Sequence, residues 1–314
     1  MKAKEFYDTV RSEISKYLVG MDDAVKALTL ALLSRGHVLL EGVPGVAKTT
    51  LAKLFAQILG LKFKRVQMTP DTLPSDLIGG KILDPKTGEF RTVLGPIFTN
   101  VLLVDEINRA SPRTQSALLE AMQEGQVTIE GETYKLPKPF FVIATMNPVE
   151  MVGTYQLPEA AKDRFTTSAD LRFPPREVEV EAVMLDSSRR ALEPSAKKVF
   201  DANFVLAAMD EAQSLDVSRK IAEYAVDIVR ATRERPDVIM GATTRAAIHL
   251  VRAAKANAAI EGRDVVLTDD VKSVVKYVLP HRLVVEVPSE KLFAARDTAY
   301  KVIEEILESV EPPA

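Results

Sequence analysis

The amino-acid sequence predicts an α/β fold, a mostly parallel sheet with helices on both faces, followed by an all-α second unit. Three observations predict it. Short apolar runs at Val38–Leu40, Val101–Val104 and Phe140–Ala144 alternate with segments of helical period, the pattern of strands buried on both faces. Pro174-Pro175 then ends the alternation. Beyond it, apolar residues recur only at helical spacing.

The elements follow in order. Phe6, Val10, Ile14 and Leu18 make one stripe of a helix over 4–18, broken at Val19-Gly20. Asp22 is expected to cap a second helix bearing Ala24, Leu28, Ala31 and Leu32. After the Val38–Leu40 strand, Gly42, Pro44 and Gly45 turn the chain, and Lys48, Thr49 and Thr50 open a helix that Gly60 closes at its C-cap. Phe63–Gln67 reads as a strand. Residues 69–100 are irregular, with a hairpin whose turn lies at Asp84 to Gly88. Such a stretch inside a compact domain is usually functional. Ser111 as N-cap and Pro112 at the first helical position start a helix that Gly125 ends. QVTIEGETYKL alternates by twos around Glu130-Gly131, a second hairpin. The Phe140–Ala144 strand runs out into Thr145, Met146, Asn147 and Pro148, Leu157–Phe165 reads as a short helix, and Leu171–Phe173 as the last strand. In the second unit, one stripe joins Ile221, Tyr224, Ala225, Ile228 and Val229, and another Ile248, Val251, Ala254 and Ala258. Thr268 is expected to cap a helix holding Val271, Val274, Val275 and Val278, and Ser289 to precede a last helix with Leu292, Val302, Ile303 and Ile306.

Composition narrows the function. With 314 residues the chain has room for two domains, placed here at 1–174 and 175–314. A net charge of −3 gives no global basic field for nucleic acid or anionic membrane. The absence of cysteine excludes thiol nucleophiles and cysteine-based metal centres. His37, His249 and His281 lack metal-ligand spacing and read as structural. No apolar run reaches membrane-spanning length, and MKAKEFYDTVRSEI lacks the apolar core of a signal peptide, so a cytoplasmic protein is expected.

The chemistry centres on HVLLEGVPGVAKTT, residues 37–50. A strand, a glycine-bearing turn and a helix start make a nest of inward N–H groups beside a helix dipole, which suits a phosphate. The backbone of Gly42, Val43, Pro44, Gly45, Val46 and Ala47 would form that nest, with Thr50 in the first turn of the helix. Lys48 would reach the β- and γ-phosphates, and Thr49 would ligate Mg²⁺. Ala47 stands where the pattern G-x-x-x-x-G-K-[ST] has its second glycine. Asp105-Glu106 ends an apolar strand, at the edge where open parallel sheets bind ligands. Asp105 would face the Mg²⁺, directly or through water, and Glu106 would polarise the attacking water. Asn147 ends the next strand, where its amide could bond the water or the γ-phosphate; Asn-Pro is equally a common turn. Composition alone leaves Arg164 and Arg245 as isolated arginines of the kind usually found at surfaces.

The order of these pieces resembles the AAA+ ATPases, and the finer wording resembles the MoxR family. The matching segments are GVPGVAKT, TPDTLPSDLIGG, GPIFTN, LLVDEINRASPRTQSALLEAMQEGQVTIEG, ATMNP, LPEAAKDRF and GATTRA, spread over about 42 to 246. That family often writes its loop G-x-P-G-x-A-K-T, which accommodates Ala47. The resemblance implies further roles. Arg164 would be an arginine finger reaching a neighbouring subunit's γ-phosphate, Asn147 sensor 1, and Arg245 sensor 2, acting in cis or in trans. Val19 and Gly20 fall where the family's backbone meets adenine. The stretch at about 69–98 would be the helix-2 insert and that at about 126–137 the hairpin before sensor 1. ATP and Mg²⁺ are the implied cofactors, a ring, of six subunits by implication, the implied assembly, and protein substrates with a von Willebrand factor A domain partner the implied company. Three alternatives compete, a nucleic-acid motor of the MCM-like branch, the motor subunit of a metal chelatase, and a nucleotide-gated binding module that barely hydrolyses, against which Glu106 argues. Against the first, Asp84 and Glu89 offset Lys81, Lys86 and Arg91 around the first hairpin, and the second carries Glu130 and Glu132.

Overall fold

The computed structural model describes residues 1–86, 88–147, 155–187, 194–287 and 293–313. The chain opens with α1 (Lys2–Ser15) and α2 (Asp22–Leu33), then β1 (Val38–Gly42), α3 (Lys48–Ile58) and β2 (Phe63–Gln67). A short α4 (Pro74–Ile78) leads into the hairpin β3 (Gly79–Leu83) and β4 (Phe90–Leu94). β5 (Val101–Asp105), a 3-10 turn at Ile107–Arg109 and α5 (Pro112–Glu124) follow, then the hairpin β6 (Gln126–Ile129) and β7 (Glu132–Lys135). β8 (Phe141–Met146), α6 (Glu159–Lys162) and β9 (Thr167–Leu171) complete the sheet. The remainder holds α7 (Arg176–Ser187), α8 (Ala202–Ser214), α9 (Arg219–Glu234), β10 (Val238–Met240), α10 (Thr244–Ile260), α11 (Thr268–Val278), a 3-10 turn at Pro280–Arg282, β11 (Val284–Val285) and α12 (Ala294–Ser309).

The five-stranded sheet has the order β2-β5-β8-β1-β9, every pairing parallel. Its central strands alternate between two apolar layers. Val38 and Leu40, Val101 and Leu103, Phe141 and Ile143 join the core shared with α1, α2, α3 and the later helices. Leu39, Leu102, Val104, Val142 and Ala144 join a second core under α5 and the β6–β7 hairpin. This two-sided burial explains why β1, β5 and β8 read as continuous apolar runs. The first core is contiguous from α1 to α12, with Phe6 packed between Phe55 and Phe200 at centroid distances of 6.4 and 5.7 Å.

Several elements differ from the sequence expectation. The last strand is Thr167–Leu171, upstream of the expected Leu171–Phe173, and Phe173 is 69 % exposed. Thr167 and Ser168 look polar in sequence yet are buried, because their hydroxyls are bonded: Thr167 donates to the Ala27 carbonyl at 2.8 Å and Ser168 accepts from Arg296 at 3.0 Å. Met21 and Leu267 are the N-caps of α2 and α11, with Asp22 and Thr268 one position inside. The α11 start is closed instead by Asp270, whose carboxylate accepts from the Leu267 amide at 2.8 Å. Leu59 is the C-cap of α3, and Gly60 follows it at φ +61°. Two short strands, β10 and β11, pair antiparallel among the later helices. On α10, Ile248 is exposed, while the neighbouring Ala246, Ala247, Leu250, Ala253 and Ala254 form the buried face. Pro148, Ser289 and Leu292 lie outside the described residues. Among the described residues no helix is long and apolar enough to cross a membrane.

The three histidines are buried and linked to backbone or hydroxyl groups. His37 Nε2 lies 3.1 Å from the Met122 carbonyl and its Nδ1 accepts from the Val142 amide at 3.0 Å. Burial depresses His37 to about 4 and His249 to about 2, the latter helped by Arg282, and holds His281 well below its ordinary value. A histidine kept neutral in the folded state gains its proton only on unfolding below about pH 6.5. Folding stability is therefore full above that pH and lost as pH falls from it toward the folded values. Urea unfolding between pH 6.5 and 5 should show a slope approaching about 1.4 kcal/mol per pH unit for each imidazole; a flat profile would contradict this burial.

Candidate active site

The site is built where the parallel strands end. Register places Gly42 beside Leu171, Glu41 beside Met146 and Gln67 beside Asp105, so the chain leaves β1, β5 and β8 along one edge. Gly42 has no room for a side chain: an added Cβ would stand 2.6 Å from the Leu171 carbonyl oxygen. The loop then turns through Gly45 at φ +83° and Ala47 at φ +56°. Ala47 supplies the left-handed residue before α3 despite its Cβ, a strained choice for a non-glycine residue. Lys48 Nζ folds over the loop, donating to the carbonyls of Gly42 at 2.6 Å and Val43 at 2.9 Å.

Thr49 and Asp105 meet. The Thr49 hydroxyl donates to Asp105 Oδ2 at 3.4 Å, although the two come from α3 and β5. Asp105 is 5 % exposed and its carboxylate is satisfied on both oxygens. Arg65 Nε donates to Oδ2 at 2.6 Å and the Thr145 hydroxyl to Oδ1 at 3.1 Å. Thr145 Oγ1 also accepts from the Glu106 amide at 2.9 Å, which ties β8 to the turn after β5. Glu106 itself adopts φ +57°, a strained backbone for a glutamate, and opens the Ile107–Arg109 turn. Its carboxylate is held from two sides, by Gln67 Nε2 at 2.7 Å and Arg109 Nη1 at 3.3 Å. Asn147 follows β8 directly and is 5 % exposed.

A cleft of about 1040 Å³ adjoins the loop. Val19, Gly20, Pro44, Gly45, Val46 and Ala47 all line it, together with residues of β9, α7, α11 and α12. Gly20 sits at φ +73°, and an added Cβ there would stand 2.8 Å from Val178 Cγ1 of α7. The structure thus brings the distant Val19-Gly20 pair against the loop. Arg164 precedes β9, beside the strand starts, and Arg245 is in the first turn of α10. Like Lys48, Thr49, Asp105, Glu106 and Asn147, neither is among the residues that line the cleft, and Arg245 Nη1 lies 3.8 Å from Asp163, the residue before Arg164.

The geometry has counterparts in known proteins. A family model described as "ATPase family associated with various cellular activities (AAA)" matches residues 37–167, and an "AAA lid domain" model matches residues 230–306. "Chaperone MoxR1" of Mycobacterium tuberculosis is 42 % identical over 281 residues, covering 87 % of this chain and 74 % of that protein. "Protein MoxR" of Methylorubrum extorquens is 34 % identical, covering 87 % and 86 %. The chain belongs to the MoxR family of AAA+ ATPases. A solved structure from Cytophaga hutchinsonii, assigned as an ATPase, superposes with a TM-score of 0.86 at 38 % identity, covering 100 % of this chain and 97 % of that one. Membership carries ATP hydrolysis with it.

Sequence reasoning missed four members of this MoxR-family site. Arg65, Gln67, Arg109 and Thr145 hold Asp105 or Glu106; Arg109 and Thr145 fall within the segments LLVDEINRA and ATMNP without being singled out there, and Arg65 and Gln67 fall in none. Position relative to the strand ends could have found Gln67 and Thr145, since both fall at the edge where Asp105 does. Thr145→Val keeps the shape but leaves an oxygen of buried Asp105 and the Glu106 amide without their partner. It should cost about 1–3 kcal/mol in urea unfolding and lower ATP turnover at saturating ATP, with both losses absent in Thr145→Ser.

Proposed function

We propose that this chain hydrolyses Mg-ATP at sites completed between neighbouring copies, in a ring of about six subunits. Gly42 to Ala47 would cradle the phosphates, Lys48 would turn from the loop carbonyls onto the β- and γ-phosphates, and Thr50 would continue the helix end that faces them. Asp105 and Thr49 fit a magnesium ion through hard oxygen donors in contact with one another, and such an ion would neutralise phosphate charge. Glu106 would polarise the water, with Asn147 orienting it from the next strand. Val19 and Gly20 would meet the base. The observation that supports a shared site is the place of Arg164 just before β9, where Thr166 bonds His37 at the strand starts, at the end of β9 remote from the Leu171–Gly42 pairing that leads into the loop. Phosphoryl transfer depends on charge stabilisation, and an arginine supplied in trans is worth about 10³–10⁵ in rate. We place the boundary between sheet domain and helical lid at Pro174-Pro175.

The energy of hydrolysis would drive chaperone-like remodelling of proteins in the cytoplasm, with a von Willebrand factor A domain protein as partner. The β3–β4 hairpin supports a protein substrate over nucleic acid. It presents Ile82, Leu83 and Phe90 at 51, 50 and 69 % exposure, and its Lys81 is paired with Glu132 of the second hairpin at 3.3 Å.

Glu106→Gln should bind ATP with unchanged affinity and lose turnover about 10²–10⁴-fold. Unchanged turnover removes Glu106 as the base. Arg164→Ala should also keep ATP affinity and lose turnover, and mixing it with Glu106→Gln subunits should restore activity at composite sites. ATPase stimulation by DNA that weakens steeply with salt would favour the nucleic-acid motor instead.

A further inference from the structure

The segment Asp163 to Thr166 carries Arg164 and is gripped by buried groups of the helical part that the hydrolytic site does not use. Arg282, at the end of the Pro280–Arg282 turn, is 3 % exposed. Its Nε donates to Asp163 Oδ1 at 2.8 Å. One terminal nitrogen, Nη2, donates to the carbonyls of Asp163 at 3.2 Å and Phe165 at 2.5 Å. The other, Nη1, donates to the Thr166 carbonyl at 3.3 Å and to the Val278 carbonyl. His281 Nε2 lies 3.0 Å from the same Phe165 carbonyl, and His249 Nδ1 lies 3.0 Å from Thr166 Oγ1. The backbone on both sides of Arg164 is therefore fixed by the helical part. Arg164 itself has its Nε buried with no hydrogen-bond partner.

Asp163 joins two further groups. Its Oδ2 accepts from the Thr243 hydroxyl at 2.8 Å and lies 3.8 Å from Arg245 Nη1. Thr243 is the N-cap of α10, whose first turn carries Arg245. Burial lowers Arg282 to about 10 while Asp163 opposes that shift, so this guanidinium remains charged at neutral pH. A buried ion pair adds little net stability over apolar residues of the same volume. What a guanidinium supplies is a rigid planar fork of donors, and here that fork fixes a stretch of backbone.

We propose that Arg282 is a positioning residue for Arg164, and that Asp163 joins Arg164 and Arg245 into one unit offered to a neighbouring copy's nucleotide. The inference rests on the shared-site reading above. It makes the helical part the support of the finger: a rotation of that part against the sheet carries the carbonyls around Arg164 with it. Lysine cannot replace the fork, since its three donors share a single atom.

Two variants test this. Arg282→Lys keeps the charge and loses the fork; Asp163→Asn with Arg282→Met removes both charges together and leaves none buried alone. Each is read by thermal unfolding, by kcat and KM for ATP, and after mixing with Glu106→Gln subunits, with Arg164→Ala plus Glu106→Gln as the control. A displaced finger should lower kcat about 10²-fold with KM changed by less than about two-fold. Mixing should return about a quarter of wild-type turnover, the share of interfaces that pair a sound nucleotide side with a sound arginine side. Full kcat in either folded variant overturns the proposal. So does a loss that mixing fails to recover while the control recovers, because a merely structural role damages both faces of the subunit. If the control fails to recover, the shared-site reading falls and this inference with it. Should Arg282→Lys fail to fold, the double variant carries the same readouts.

Discussion

Five parallel strands that end along one edge are the constraint from which the rest of this molecule follows. Parallel pairing buries both faces, so side chains within β1, β5 and β8 must be apolar, and polar chemistry is confined to the strand ends. There the chain has to leave the sheet sharply. It does so through Gly42 against the Leu171 carbonyl, through Glu106 at φ +57°, and through Asn147 directly after β8. Residues far apart in the chain thus converge without any loop reaching across. The Thr49 and Asp105 contact is the direct product of that edge, and Thr145 stitches the edge laterally by bonding both Asp105 and the Glu106 amide.

Two buried arginines then connect the helical part to β9, one along the strand and one just before its start. Arg296 of α12 donates to Glu41 at 2.7 Å, lies 3.1 Å from Asp170, and bonds the Ser168 hydroxyl. It thereby holds β1 and β9 just before the loop. Burial pushes Glu41 up and Arg296 opposes that push, so removing the arginine would leave two acids facing each other inside the protein. Arg282 performs the corresponding task at the Arg164 segment. The helical part is therefore not a passive cover. One of its arginines braces the strands that feed the nucleotide loop, and the other braces the Arg164 segment before β9.

Legibility in the sequence divides along the same physical line. Whatever depends on local spacing was readable: the buried runs of β1, β5 and β8, the Ser111-Pro112 start of α5 with Gly125 at its end, both hairpins, and the loop ending in Lys48-Thr49. Whatever depends on a distant partner was not. β9 hides because Thr167 and Ser168 are buried through bonds to Ala27 and Arg296. Arg282 and Arg296 look like the isolated surface arginines of any sequence, and only the fold shows them at 3 and 6 % exposure. Ile248 continued a helical stripe by spacing, yet the face of α10 that packs is the alanine-rich one beside it. The same holds at the site, where the loop and the acids announce themselves while Arg65, Gln67 and Thr145 gain meaning only from their neighbours.

Gln67 shows how such a neighbour can matter beyond holding a side chain. It ends β2 and its amide binds Glu106. The chain then runs through Met68, whose N–H donates to the Asp105 carbonyl at 2.9 Å, and through Thr72, whose carbonyl accepts from Thr114 of α5 at 2.7 Å. From there α4 leads directly into the β3–β4 hairpin with its exposed Ile82, Leu83 and Phe90. The second hairpin leaves the far end of α5 and meets the first through Lys81–Glu132 and through Tyr134, which donates to Thr92 at 3.2 Å. Gln67 and Arg109 both bond the same oxygen of Glu106, Oε2. The strand-end carboxylate and the exposed apolar surface of the first hairpin are thus joined by a short stretch of chain that is pinned to β5 and α5, because its backbone groups at Met68 and Thr72 have to be bonded where β2 leaves the sheet.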